Sequence, residues 1–96
     1  MPTQKPTQVC IVTVTGTDRV GIIAKLASAM ARANINIIDV NQKIMEDYFV
    51  MTMAIDVAHA SISIEKLKGR LDRIGKDMSL NISVQDENIF KAMHRV

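Results

Sequence analysis

The 96-residue chain is poor in several features that would narrow its chemistry. Its single cysteine, Cys10, makes available neither an intramolecular disulfide framework nor a cysteine-based zinc site. The two histidines, His59 and His94, have no second histidine or cysteine at metal-ligand spacing, so both read as surface residues and no metal site is expected. With one tyrosine, two phenylalanines and no tryptophan, platforms for stacking nucleic-acid bases are scarce. Twelve basic residues stand against ten acidic ones, and the net +2 is scattered without a basic block, so no nucleic-acid partner is expected. No apolar run approaches the roughly 18 residues of a membrane span, and Met1 to Gln8 lacks the apolar centre of a signal peptide. These absences predict a soluble cytoplasmic protein with no membrane partner.

What is present is alternation and helical periodicity. A chain of this length forms one domain near the small end and buries only about 60–65% of its unfolded surface, so self-association would help it. Residues 1–8, with Pro2 and Pro6, are expected as a flexible leader to a single domain over 9–96. Val9 to Thr15 alternates as a strand, with Cys10, Val12 and Val14 on one side. Ile22, Ile23, Leu26, Ala27, Met30 and Ala31 recur at helical spacing, which predicts a first helix over Val20 to Ala33 with Asn34 as a left-handed cap. The chain is organised around the segment between them, Gly16-Thr17-Asp18-Arg19-Val20-Gly21-Ile22. Its glycines permit a sharp turn off the strand, Asp18 is an N-cap candidate, and free N–H groups at a helix start favour a carboxylate or other anion.

Asn36 to Met45 reads as a second strand, with Ile38, Val40 and Ile44 on one face and Asp39, Asn41 and Lys43 opposite. After the short break at Glu46-Asp47, Tyr48 to Val57 alternates cleanly, placing Phe49, Met51, Met53, Ile55 and Val57 on one side of a hairpin. Ser61 or Ser63 can cap a second helix marked by Ile64, Leu67, Leu71 and Ile74 and closed by Gly75. Leu80, Ile82 and Val84 alternate as a fourth strand, and a short C-terminal helix follows, pinned by Ile89, Phe90 and Met93. The order βαββαβ predicts an α+β, ferredoxin-like fold. Its four-stranded antiparallel sheet has order 2-3-1-4 and carries the two main helices on one face. Val12, Val14, Ile38, Val40, Met51, Met53 and Ile82 are expected under the helices. Ile11, Thr13, Ile37, Asp39, Val50, Thr52 and Asn81 are expected on the open face, whose half-apolar character invites a second copy.

Such a fold hosts many functions. A metal carrier needs paired cysteines in the first loop, and an RNA binder needs aromatics on the open face, where this chain has Ile11, Thr13, Val50 and Thr52. Arg19 could cradle a phosphate in the manner of an acylphosphatase, but the longer glycine-rich loop of those enzymes is missing. No nucleophile with a base and an orienting partner can be read, so no catalytic residue, cofactor or enzyme activity is expected.

Gly16-x-Asp18-Arg19-x-Gly21-Ile22, followed by Asn34-Ile35-Asn36-Ile37, resembles the ACT domain. Asp47-Tyr48-Phe49 and the ending Ile89-Phe90-x-Ala92-Met93 resemble the small stand-alone ACT proteins of bacteria and archaea. The resemblance implies a regulatory module that binds a small molecule, most often an amino acid, between two subunits against the first loop and the start of strand two. On it, Gly16, Thr17, Asp18, Arg19, Val20, Gly21, Ile22, Asn36 and Ile37 are the expected ligand-binding residues. Asn36 matches the asparagine that such domains use on the ligand. Asp18 stands where serine-binding members have asparagine, Gly16 where some have histidine, and Val20 where proline is frequent. A carboxylate at Asp18 favours the ammonium end of an amino acid, or a cation. The expected function is a homodimeric, non-catalytic amino-acid sensor acting on an enzyme or regulator; the alternative is a ligand-free interaction scaffold of the same fold.

Overall fold

The computed structural model describes residues 7–93. Strand β1 (Val9–Thr17) leads to helix α1 (Ile22–Arg32), then the hairpin β2 (Asn36–Met45) and β3 (Tyr48–Asp56), helix α2 (Ile64–Met78), strand β4 (Leu80–Asp86) and helix α3 (Glu87–Met93). The four strands form one antiparallel sheet in the order β2-β3-β1-β4, the ferredoxin-like architecture expected. The leader expected over residues 1–8 lies mostly outside the described residues. Gln8, its last member, is held: its N–H donates to Asp56 Oδ1 (3.1 Å) and its carbonyl accepts from Val57 N–H (2.8 Å).

The centre of the sheet follows the alternation closely. β1 pairs with β3 from Val9↔Asp56 to Thr17↔Tyr48, and with β4 from Cys10↔Asp86 to Gly16↔Leu80. Cys10, Val12 and Val14 on β1 and Phe49, Met51, Met53 and Ile55 on β3 all face the helices and are buried. Leu26 and Met30 of α1 and Leu67 and Leu71 of α2 close over them, and no polar or charged residue is buried among the described residues. Each such side chain contributes about 1.5–3 kcal/mol by leaving water, so this layer supplies most of the fold's driving force. Cys10 is one more small apolar group in it, and burial, with Asp86 nearby, pushes its thiol pKa up.

Helix α1 ends in a Schellman turn. Asn34 adopts φ 56°, its N–H donates to Ala31 O (3.1 Å), and Ile35 N–H donates back to Met30 O (2.9 Å). The Asn34 amide also donates to His59 O (3.0 Å), fastening the helix end to the loop before α2. Ser63 caps α2, accepting from Lys66 N–H at 3.2 Å. Gly75 does not close that helix as expected. α2 continues to Met78 and ends at Ser79, which takes φ 56°. Gly75 serves another purpose there: a Cβ on it would lie 2.8 Å from Leu80 O, so glycine lets the helix lie directly against the start of β4.

Two further expectations are corrected. β2 carries a bulge between Ile37 and Asp39, because Ile37 pairs with Ile55 and Asp39 already with Ala54. The extra residue reverses the phase of the strand's start: Ile37, expected on the open face, sits in register with buried Ile55 and packs against the core, whereas Ile38 is exposed. Beyond the bulge Val40 and Ile44 keep the helix-side phase opposite Met53 and Phe49, yet both are exposed because β2 is the outer strand. The C-terminal helix is capped by Asp86, whose Oδ1 accepts from Asn88 N–H (2.8 Å), and it contacts β1 and β4. Of the three residues expected to pin it, only Phe90 is half-buried; Ile89 and Met93 are exposed, so the helix does not bury the stripe expected of it. His94 lies outside the described residues.

Replacing Met53 or Leu67 by alanine is expected to lower unfolding free energy by about 2–5 kcal/mol, the cost of a cavity in a packed core. Lys43→Ala, on exposed β2, should change it by less than about 0.5 kcal/mol. Denaturant titration measures all three, and a Lys43 variant as costly as Met53→Ala would contradict this packing.

Candidate functional site

The Gly16–Ile22 segment starts inside the sheet. Gly16 pairs with Phe49 on one side and Leu80 on the other, with φ 154°. A Cβ there would lie 2.8 Å from Leu80 Cδ2 and 3.0 Å from Ser79 O, so glycine is demanded by packing irrespective of any ligand. Thr17 completes the ladder opposite Tyr48, and Asp18 N–H donates to Asp47 O at 2.8 Å. The loop is thereby tied to the turn of the β2–β3 hairpin, where Glu46 takes φ 58°. Asp18, Glu46 and Asp47 therefore stand at one end of the sheet with Arg19, and all four are exposed.

The capping role expected of Asp18 is not realised. The residue ahead of α1 is Gly21, in the left-handed region at φ 94°, whose carbonyl accepts from Lys25 N–H (2.9 Å) to begin the helix. No side chain caps the first turn, and no acidic residue stands in it. Three residues of loop separate Asp18 from the helix start at Ile22, one more than a capping side chain reaches across. The first-turn amides are consequently open to an outside acceptor, in the orientation that favours an anion. Arg19 and Val20 form the loop tip, and Val20 is 99% exposed, an apolar side chain with no contact of its own. Ile22 turns inward and is buried.

Asn36 and Ile37 do not join this cluster within one chain. The right-handed crossover through α1 makes β1 and β2 parallel, so β2 starts where β1 starts. Asn36 pairs with Asp56, which pairs with Val9; the loop instead leaves β1 at the end marked by Thr17, Tyr48 and Met45. Nine residue steps along the strand separate Asn36 from Met45, about 30 Å at roughly 3.3 Å per residue. The neighbours the loop does have are Asp47, legible with Glu46 as the hairpin break, and Tyr48, legible as the start of the next strand, but the link to Asp47 is a backbone hydrogen bond and leaves no mark in side-chain pattern. Among the described residues no three His, Cys, Asp or Glu side chains are grouped as metal ligands, and no helix is long and apolar enough to cross a membrane.

A family model for the ACT domain matches residues 8–85. A UPF0237 protein of Clostridium acetobutylicum is 46% identical over 86 residues, covering 90% of this chain and 97% of its own. One from Methanopyrus kandleri is 41% identical over the same length, covering 90% and 96%. Among solved structures, an ACT domain protein from Streptococcus pneumoniae superposes with a TM-score of 0.75 at 27% identity, over 93% of this chain and all of that one. Small proteins of this kind thus occur in bacteria and archaea alike.

Because Asp18 caps nothing, Asp18→Ala should leave thermal stability within about 0.5 kcal/mol of the parent. Ser63→Ala, which removes a real cap, should cost about 0.5–2 kcal/mol. Parallel melts followed by circular dichroism compare them directly; a larger loss at Asp18 than at Ser63 would restore the capping role.

Proposed function

Since this chain belongs to the ACT-domain family, whose members are regulatory rather than catalytic, we propose that it is a homodimeric sensor of a small molecule, an amino acid, that regulates an enzyme or a regulator protein. The observation that carries the reading is the uncapped start of α1 beneath an exposed loop. Its open amides suit a carboxylate, and Asp18, with the neighbouring Asp47, suits an ammonium. A zwitterion presents both ends. Gly16, Thr17, Arg19, Val20, Gly21 and Ile22 frame that position.

Asn36 enters through a second copy. β2 is an edge strand with a free row of backbone groups, and its exposed apolar residues range from Val40 at 41% to Met45 at 62%. Two β2 edges paired antiparallel about a two-fold axis bring Asn36 and Ile37 of one copy alongside the Met45 end of the other, towards its loop. The amide of Asn36 both donates and accepts, so it can close the site on either end of the ligand. A ligand held this way binds one dimer geometry better than others, and that differential affinity is the signal. The scaffold reading has one observation in its favour, the distance between Asn36 and the loop within one chain, and it becomes the function if the chain binds no amino acid.

Light scattering should give about twice the 10.6 kDa chain mass. A thermal-shift screen of the amino acids should find a stabilising ligand. Asn36→Ala and Asp18→Ala should then each weaken its binding by about 1–3 kcal/mol in calorimetric titration, leaving the dimer intact. A monomer at micromolar concentration, or unchanged affinity in both variants, contradicts the site.

A further inference from the structure

On the helix-bearing side of the sheet, α1 and α2 leave between them an open groove of about 660 Å³. Its floor is small and apolar, with the half-buried Ala29 and Ile74, and the exposed Ala24 and Ser28 line it beside them. Its walls are basic: Lys25 and Arg32 on α1 face Arg70 and Arg73 on α2, against the single carboxylate of Asp77. That leaves three net positive charges in the groove, whereas the whole chain nets only +2. All four cations are exposed, and none forms an ion pair among the described residues, where the one salt bridge joins Lys91 to Glu87. The concentration is a property of the folded surface, because along the chain these residues are scattered.

We propose that this groove docks an acidic, amphipathic segment of a partner protein. Lys25 and Arg32 stand seven residues apart, two helical turns or about 10 Å along α1, and Arg70 to Asp77 spans the same length on α2. Charges spread over that length match carboxylates recurring along a peptide, whereas a single phosphate calls for cations converging on a point. None of the aromatic residues lines the groove, so a nucleotide base finds no aromatic stacking platform there. The three arginines offer planar, bidentate recognition of carboxylates, and the floor accepts a small apolar side chain between them. The proposal rests on the regulatory reading above for the partner's being a regulated protein; the groove's own chemistry does not depend on that reading.

The probe is a fluorescein-labelled helical peptide of Ala, Leu and Glu with Glu on one stripe, and a twin carrying Gln in place of Glu. In fluorescence anisotropy the Glu peptide should saturate, the Gln twin should bind about tenfold more weakly or worse, and added salt should weaken the Glu complex. Arg70→Glu/Arg73→Glu should lose about tenfold or more, and Lys25→Glu/Arg32→Glu, altering the opposite wall, should do the same, so the result does not hang on one variant's folding. Amide shifts in nuclear magnetic resonance spectra should move along α1 and α2. The proposal is overturned if the Glu peptide does not bind, if both charge-reversed variants bind it as the parent does, or if the shifts map to β2. It is also overturned if inorganic triphosphate binds more tightly than the peptide and displaces it, which makes the groove a small-anion site. An amino-acid screen on the same protein separates the two readings: peptide binding without an amino-acid ligand removes the sensor and keeps the groove, and the converse removes the groove alone.

Discussion

Where α2 hands over to β4, the chain passes between two glycines with no room for a Cβ: one on Gly75 would lie 2.8 Å from Leu80 O, and one on Gly16 would lie 2.8 Å from Leu80 Cδ2. This approach sets the distance between the second helix and the sheet, and the register in which β4 joins β1. It also sets where β1 can stop being a strand, since Gly16 is still paired on both sides. The loop that follows is short because the sheet holds its first residues and the helix its last. An alanine at Gly16 would crowd the Leu80 side chain and the Ser79 carbonyl at a backbone φ of 154°, straining the fold before any ligand contact. The glycine that looks most like a binding-loop signature is thus first a packing residue.

A second constraint acts on β2. The buried side chains of β1 and β3 lie under the two helices, and among the described residues the core is apolar, with no buried polar group to specify a partner. β2 has only β3 beside it and no full helix above it, so a ten-residue strand stays exposed on one edge and on much of both faces. Lys43, Asp39 and the bulge at Ile38 are the kinds of feature that keep such an edge from indiscriminate pairing, whereas Val40, Ile44 and Met45 favour a specific one. Selective pairing of this edge is what the proposed dimer requires.

The sequence was most readable where side-chain periodicity and burial coincide. β1 and β3 lie at the centre of the sheet, so their alternation maps onto buried and half-buried positions without exception from Cys10 to Val14 and from Phe49 to Val57. Asn34 was legible as a cap, and Ser63 as one of two candidates with Ser61, because their chemistry is local. Reading failed where a backbone event intervened. One extra residue in β2 exchanged the roles of Ile37 and Ile38, and no side-chain pattern marks a bulge whose strand is exposed anyway. Asp18 was misplaced as a cap because Gly21 starts the helix by conformation instead of by a side chain. The candidate site was least legible, since the right-handed crossover makes β1 and β2 parallel and sets Asn36 and the loop at opposite ends of the sheet within one chain.

That relation also decides how the two proposed surfaces can communicate. The loop, the uncapped amides and the groove meet at the start of α1, for Gly21 both precedes the first turn and lines the groove. A ligand carboxylate taken up by the first-turn amides would set a negative charge at the mouth of a groove whose occupancy depends on positive charge, roughly one turn from Lys25. Such a ligand would weaken an acidic segment electrostatically, most strongly at low salt. By linkage the segment would weaken the ligand by the same factor. An ammonium held at Asp18 lies on the other side of the loop, towards the hairpin, and offsets part of that charge. For the proposed amino-acid ligand, the sign and size of the coupling would therefore follow from whether its carboxylate or its ammonium stood nearer the groove. No movement of the core is needed, since α1 carries both contacts as one rigid element packed through Ile22, Leu26 and Met30.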